Sequence, residues 1–254
     1  MTTQSVDQAS TQPAWPIFTT KLLSRDEVAD GTMSFKFAKP IDWTFDAGQF
    51  IDITLLDPAE TDSEGNTRGF SVASAPFENT LMIATRMRDT AFKRVLKTLP
   101  IGSEVKIEGP FGDLRLHNNR LRPAVVLSGG IGITPFRSIL MQAAKDQRPN
   151  RIFFFYANRR PEDAPFLEDM QALAADSATF TFIPTMTDME HSHVSWDGER
   201  GHIDQKMLAK YLTDVTSPIY YVTGPPGMVK ALRILLKSTG VDDDDIRTEE
   251  FTGY

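Results

Sequence analysis

The chain contains no cysteine. Disulfides, thiolate zinc sites and cysteine-ligated iron–sulfur clusters are therefore excluded within these 254 residues. Long apolar runs are also missing. No window approaches the roughly 18 uninterrupted apolar residues that a membrane helix needs. Residues Met1 to Ala14 have neither a basic start nor an apolar core, so no signal peptide is expected and a cytoplasmic protein is the default. Histidine is scarce, at four. His191 and His193 would share one face of a strand, yet in a polar stretch without thiolate partners they read as surface residues and not as a metal site. Positive charge is short too, with 27 Lys and Arg against 34 Asp and Glu, which argues against nonspecific nucleic-acid binding.

What remains is an ordinary globular composition, 41% hydrophobic and 24% charged, long enough for one large domain or two smaller ones. The charge is unevenly placed. Residues 41–83 hold one basic and eight acidic side chains, whereas residues 84–123 hold nine basic and four acidic. A basic stretch in an acidic chain is either a local anion site or a solvated surface.

Two patterns follow one another. From Pro16 to about Arg122, short strands alternate with turns: Ile17–Leu23, Thr32–Ala38, Gln49–Leu56, Arg68–Ala73, Thr80–Arg86 and Glu104–Glu108, with one helical insert at Thr90–Leu99. That spacing predicts an antiparallel β-barrel or sandwich. From Pro123 onward, nearly continuous apolar runs such as Ala124–Ser128, Arg151–Ala157 and Ile219–Thr223 alternate with helix-length segments that begin near Glu162, Asp204 and Pro226. Such strands predict a parallel sheet covered on both faces, here with five strands. The expected division is a disordered tail over 1–15, a β-barrel domain over 16–121 and an α/β domain over 122–254. Phe153–Phe155 reads as buried strand, and Asp242–Asp245 as a solvated turn before the last strand.

The strongest local signal is Leu127-Ser-Gly-Gly-Ile-Gly-Ile-Thr-Pro135, directly after the first strand of the second half. Gly129, Gly130 and Gly132 allow a tight turn and close backbone approach, with Thr134 expected as helix N-cap and Pro135 as first helical residue. A helix N-terminus behind a glycine turn offers free N–H groups to an anion. Pro135 stands where the third glycine of an ordinary dinucleotide fingerprint would be, so a variant of that fold is expected. Thr223-Gly-Pro-Pro-Gly-Met228 is a second turn of the same kind, and two of them suit a nucleotide lying across a crevice. Ser128 lacks the surrounding pattern of a hydrolase nucleophile. Asn158-Arg159-Arg160 ends the second strand of this half. Either the arginines accommodate a 2′-phosphate, favouring NADPH over NADH, or they are surface charges answering Glu162 and Asp163. In the first half, Arg68-Gly-Phe-Ser71 combines a phosphate-pairing guanidinium, a ring able to stack and a hydroxyl. Thr90-Ala-Phe-Lys-Arg94, with Arg86 and Arg88 before it, is a second potential phosphate site.

In order along the chain, Arg68-Gly-Phe-Ser71, Gly109-Pro-Phe-Gly112, Gly129-Gly-Ile-Gly-Ile-Thr-Pro135, Gly224-Pro-Pro-Gly-Met228 and Glu249-Glu-Phe251 resemble the ferredoxin–NADP reductase superfamily over residues 16–254. That family joins an FAD-binding barrel to an NAD(P)-binding domain. The resemblance implies that Arg68, next to Gly69, binds the FAD pyrophosphate, that Phe70 stacks on the isoalloxazine, and that Ser71 lies near flavin N5. It implies that Ala84 and Thr85, leading to Arg86, hold the flavin end, and that Ala91, Phe92 and Lys93 start the helix capping the pyrophosphate. Thr134 is a further FAD contact. Gly130, Gly132, Gly224, Pro225 and Met228 flank the pyridine nucleotide, with Asn158, Arg159 and Arg160 at its far end. Thr223 stands where the family often has cysteine beside the nicotinamide. Phe251 covers the other flavin face, and Tyr254 either stacks on the adenine or frays. Glu249 is a candidate to stabilise or relay a proton to reduced flavin. The implied activity is hydride transfer from NAD(P)H to FAD, then electron transfer to a carrier such as ferredoxin or flavodoxin, which would dock on the basic segment between Arg86 and Arg122. The alternatives are reduction of a small acceptor (flavin, quinone or ferric chelate) and a flavin-bearing subunit of a larger complex.

Overall fold

A computed structural model describes residues 15–251 of the chain. The tail expected over 1–15 lies outside the described residues, apart from Trp15. The first half contains β1 (Ile17–Ala29), β2 (Thr32–Ala38), β3 (Phe50–Leu55), β4 (Thr67–Ser71), β5 (Thr80–Arg86), α1 (Ala91–Thr98) and β6 (Glu104–Phe111). Along β3 every second residue is buried, the signature of a sheet with one face on a core. The six strands pair antiparallel in the order β4-β3-β6-β1-β2-β5 and curl around Leu22, Phe35, Phe37, Ile51, Ile53 and Ile107. The curl stops short of closure, because the terminal strands β4 and β5 share no ladder. The expected barrel is thus an open, barrel-like sheet. Strand β1 also runs beyond Leu23 to Ala29, where Asp30-Gly31 turns it directly into β2. Gly31 supplies the positive φ of 62° that such a tight hairpin needs.

The second half contains β7 (Ala124–Gly129), α2 (Ile133–Lys145), β8 (Ile152–Asn158), α3 (Leu167–Ala175), β9 (Phe180–Met186), β10 (Glu199–Arg200), α4 (Gln205–Tyr211), β11 (Ile219–Gly224), α5 (Pro226–Ser238) and β12 (Ile246–Glu250). Every residue of β7 and β11 is buried, as in strands covered on both faces. The sheet is parallel in the order β10-β9-β8-β7-β11-β12. Its sixth strand, the two-residue β10, adds to the five expected. The helix expected from Glu162 starts instead at Leu167. Pro165 disfavours helix in the residue before it, and Phe166 adopts a left-handed φ of 58°. The acidic run is no free turn: Arg233 and Lys237 hold Asp243, and Arg122 holds Asp245.

Strand order reverses between β7 and β11, which places a crevice at the carboxyl ends of those strands. On that side the core continues into the first half, where Ala73, Met82 and Ala84 join Ile131 and Phe136 in one cluster. Arg137 of α2 crosses the junction, donating to Asp169 at 2.8 Å, to the Ala73 carbonyl at 2.9 Å and to both oxygens of Glu78 at 3.0 and 3.3 Å.

Candidate functional site

The two glycine turns meet at the reversal point. A Cβ on Gly132 would lie 3.0 Å from backbone atoms of Thr223 and Gly224, so the turns touch backbone to backbone. Thr223 reinforces the contact. Its buried hydroxyl lies 3.0 Å from the Gly132 carbonyl, to which it donates, and 3.1 Å from Ser128 Oγ. The expected capping differs. A tight turn over Gly130–Gly132 leads straight into α2, Gly132 is the cap, and Thr134 lies inside the helix with its hydroxyl donating to the Ile131 carbonyl at 3.0 Å. Pro135 therefore falls at the third helical position. Gly132→Ala should cost about 1–3 kcal/mol, as overpacking against backbone does. Gly129→Ala should cost less, since its new Cβ would meet mainly the flexible Met228 thioether. Calorimetric melting of both variants checks the order.

Beside this crevice a cleft of about 540 Å³ opens between the halves. Arg68, Gly69, Phe70 and Ser71 of β4 line one wall, and Ala84 and Thr85 of β5 continue it. Lys93 and Thr90 bring the start of α1 to the cleft. The second half contributes Ile131, Thr134, Glu249, Glu250 and Phe251. Helix α1 starts where it does because the Thr90 side chain accepts the Lys93 amide as N-cap. Phe251 is held by its own amide, which donates to the Gly224 carbonyl at 3.1 Å, so the second glycine turn also positions the aromatic.

Other predicted residues lie elsewhere. Ala91 and Phe92 are buried on the inner face of α1, and the Phe92 ring packs 5.8 Å from the Phe70 ring and 5.4 Å beneath the Arg68 guanidinium. Arg86 points to Asp163, 3.8 Å away. Gly130, Gly132, Thr223, Gly224, Pro225 and Met228 belong to the crevice and not to the cleft wall. Asn158, Arg159 and Arg160 lie at the end of β8 and just beyond it. Arg160 grips both oxygens of Asp163 at 2.8 Å and also faces Glu162 and Asp30, so the surface-charge reading describes it. Arg159 keeps 74% of its side chain exposed beside Asp188. Tyr254 lies outside the described residues. His191 ends a short 3-10 turn and His193 follows in a loop, so the two do not share a strand. No cluster of three or more metal-ligating side chains occurs among the described residues. Phe50 and Glu64 also line the cleft and had no signal in the sequence. Phe50 faces it because it pairs with Ser71 across β3 and β4, a register only the fold sets.

The electrostatics are sharply divided. Burial, with Arg88 and Arg68 nearby, pushes the Lys93 ammonium down to about 8. Burial and then Asp113 raise the Glu249 carboxyl, whose Oε2 is buried without a hydrogen-bond partner. Four of the nine basic residues of the segment 84–123 are ion-paired, as Arg86–Asp163, Arg94–Glu60, Arg115–Asp46 and Arg122–Asp245, while Arg88, Lys97 and Arg120 are exposed.

An open antiparallel sheet followed by a parallel sheet with glycine turns at its reversal point defines a two-domain nucleotide-binding module. Residues 126–233 match the family model described as the oxidoreductase NAD-binding domain. The chain is 27% identical over 223 residues to the glycine betaine monooxygenase reductase subunit of Chromohalobacter salexigens, covering 87% of this chain and 60% of that protein. It is 29% identical over 186 residues to a component of the Na(+)-translocating NADH-quinone reductase of Idiomarina loihiensis, covering 72% of this chain and 44% of that one. It therefore spans about half the length of the curated relatives it matches. A ferredoxin NADP+ reductase from Neisseria gonorrhoeae, solved with bound FAD and NADP, superposes with a TM-score of 0.74 at 22% identity, covering 94% of this chain and 99% of that one. The chain thus has the two-domain fold of that ferredoxin reductase, and residues 126–233 carry an oxidoreductase NAD-binding domain. No helix among the described residues is long and apolar enough to cross a membrane.

Proposed function

We propose that the chain is an FAD-dependent NAD(P)H oxidoreductase that passes electrons from the reduced nucleotide to a separate acceptor. One observation carries this reading. Segments from β4, β5, the start of α1, the first glycine turn and the end of β12 converge on a single cleft, lined by the cations Arg68, Arg88 and Lys93 and by Glu249 with an unpartnered carboxyl oxygen. That donor set fits a flavin dinucleotide: Arg68, Lys93 and the α1 amides for the phosphates, Phe70 and Phe251 for the ring faces, Ser71 for a ring nitrogen. When bound, the flavin supplies hydride acceptance and single-electron release.

The chain's own residues bind and orient. Arg68 and Lys93 offset phosphate charge. The paired glycine turns leave the crevice open to a second dinucleotide and hold Phe251 where it must yield to a nicotinamide. Burial, and then Asp113, raise the Glu249 carboxyl above its ordinary range, which suits it to hold or pass a proton. The acceptor is proposed to be an electron carrier or oxygenase component, of the kind the monooxygenase reductase relative serves by its name. A ferredoxin or flavodoxin fits that role. A small acceptor is the second reading, and the quinone reductase component among the relatives favours it. Exposed Arg159 supports a modest preference for NADPH. Reconstitution with FAD tests the function: the protein should turn yellow and be bleached by NADPH faster than by NADH in stopped flow. A folded protein that takes up no FAD refutes it.

Two predictions belong to this site. Lys93 gives its best phosphate contact when protonated, so FAD affinity should fall as pH rises through about 8 and level off once the ammonium is neutral. Lys93→Met should bind more weakly and flatten that dependence in fluorescence titrations. Glu249→Gln should slow turnover while leaving bound FAD intact. The sign of its stability effect is also defined. A carboxyl raised in the folded state penalises folding once pH exceeds its unfolded value, so at neutral pH the glutamine variant should melt no lower than the parent.

A further inference from the structure

Arg68 and the N-terminus of α1 already hold an anion, and it belongs to the chain. Asp62, in the loop between β3 and β4, places Oδ1 3.0 Å from Arg68 Nη2 and accepts the Ala91 amide on Oδ2 at 3.3 Å. Glu64 brings a second carboxylate to 2.9 Å from the same Nη2. The other arm of Arg68 is committed: Nη1 donates to the carbonyls of Glu64, Gly65 and Thr67. Thus the guanidinium arm and the helix amide assigned above to cofactor phosphate are both engaged by one side chain.

The loop does not need that contact for its shape. Asn66 donates to the Leu55 carbonyl at 2.8 Å, the Gly65 amide donates to the Asp62 carbonyl at 2.9 Å, and Glu60 pairs with Arg94 at 2.6 Å. Asp62 Oδ1 also accepts the Glu64 amide at 3.0 Å, a turn contact that the carbonyl oxygen of an asparagine can keep, so the carboxylate's charge is separable from the anchoring of its loop. It has the charge and the acceptor geometry of one phosphate oxygen pair. A phosphate added at Arg68 Nη2 and the Ala91 amide would be a third anion beside Asp62 and the more exposed Glu64, and would compete with Asp62 for both donors against strong repulsion.

We infer that Asp62 is a resident anion of the phosphate subsite, which must leave Arg68 and Ala91 before a flavin nucleotide seats. Asp62 thereby sets affinity for the phosphate portion of the cofactor and makes the cofactor exchangeable. The inference rests on the flavin reading of the cleft.

Flavin-free protein, wild type and with Asp62→Asn or Asp62→Ala, is titrated with FAD and with riboflavin, which carries no phosphate. FAD should bind about tenfold more tightly to both variants, the size of one charge-assisted contact, with riboflavin affinity unchanged. Should the alanine variant fail to fold, the isosteric asparagine carries the test. Equal or weaker FAD binding by the variants, while wild type still binds it, overturns the inference alone. A gain shared equally by riboflavin overturns it too, because the effect would not act through phosphate. If neither wild type nor variants take up FAD, the flavin reading falls and the inference with it.

Discussion

Arg68→Ala should yield a folded but colourless protein whose FAD affinity is reduced on the order of a hundredfold. The guanidinium is the cleft's main fixed cation: it lies over the Phe92 ring, and its Nη2 arm reaches the subsite where phosphate is proposed to bind. Losing a charge-assisted donor to a doubly charged pyrophosphate removes roughly 1.5–3 kcal/mol. Folding should survive. The three loop carbonyls that Nη1 serves lie at a partly exposed edge, where water can replace it. Arg68→Lys should recover only part of the affinity, because an ammonium keeps the charge but lacks the second arm that anchors the guanidinium to the loop carbonyls. Equilibrium dialysis gives the three dissociation constants, and an alanine variant that retains FAD undiminished would remove Arg68 from the phosphate site. In the same experiment, Asp62→Ala should lose its tightening effect once Arg68 is absent, a coupling that a double-mutant cycle measures.

Arg137→Ala should produce the largest loss of stability. Its side chain is only 9% exposed, bridges Glu78 and Asp169, donates to the Ala73 carbonyl and stacks 5.2 Å from Phe166. Removing it strands two carboxylates and a buried carbonyl in the junction. A fully buried pair loses several kcal/mol when broken, but Asp169 keeps 43% of its side chain exposed, so roughly 2–4 kcal/mol is expected. For a chain of this size that lowers the melting temperature by roughly 5–15 °C. Because Glu78 and Ala73 belong to the first half and Asp169 to the second, calorimetry should also show the single transition broadening or splitting. A variant with an unchanged, single transition would show that the domains are held together elsewhere. Ser138 of α2, donating to the Ser74 carbonyl at 2.7 Å, is the other polar tie in that position.

The cleft was legible in part. Arg68–Ser71, Ala84–Thr85, Lys93, Thr134, Glu249 and Phe251 come together where the ordered motifs place them. Phe50, Asp62 and Glu64 were not legible, since an aromatic at a strand start and acids in a turn-rich stretch have no local signature. Their roles depend on cross-strand register and on a loop folding back over α1. The pairing of Arg86 with Asp163 and of Arg122 with Asp245 was not legible either, because net charge along a sequence does not show which partners face it across the fold.

Local chemistry by itself determined the elements that short-range rules govern. Alternating burial marked the first sheet, continuous apolar runs marked the second, and glycine turns marked the ends of β7 and β11, because side-chain period and backbone freedom are properties of neighbouring residues. Tertiary structure alone decided that the first sheet stays open, that Arg160 is tied to Asp163, and that Asp62 engages both Arg68 and the Ala91 amide. Those outcomes come from pairings between groups distant along the chain or competing for one partner, and only packing in three dimensions settles which pairing forms.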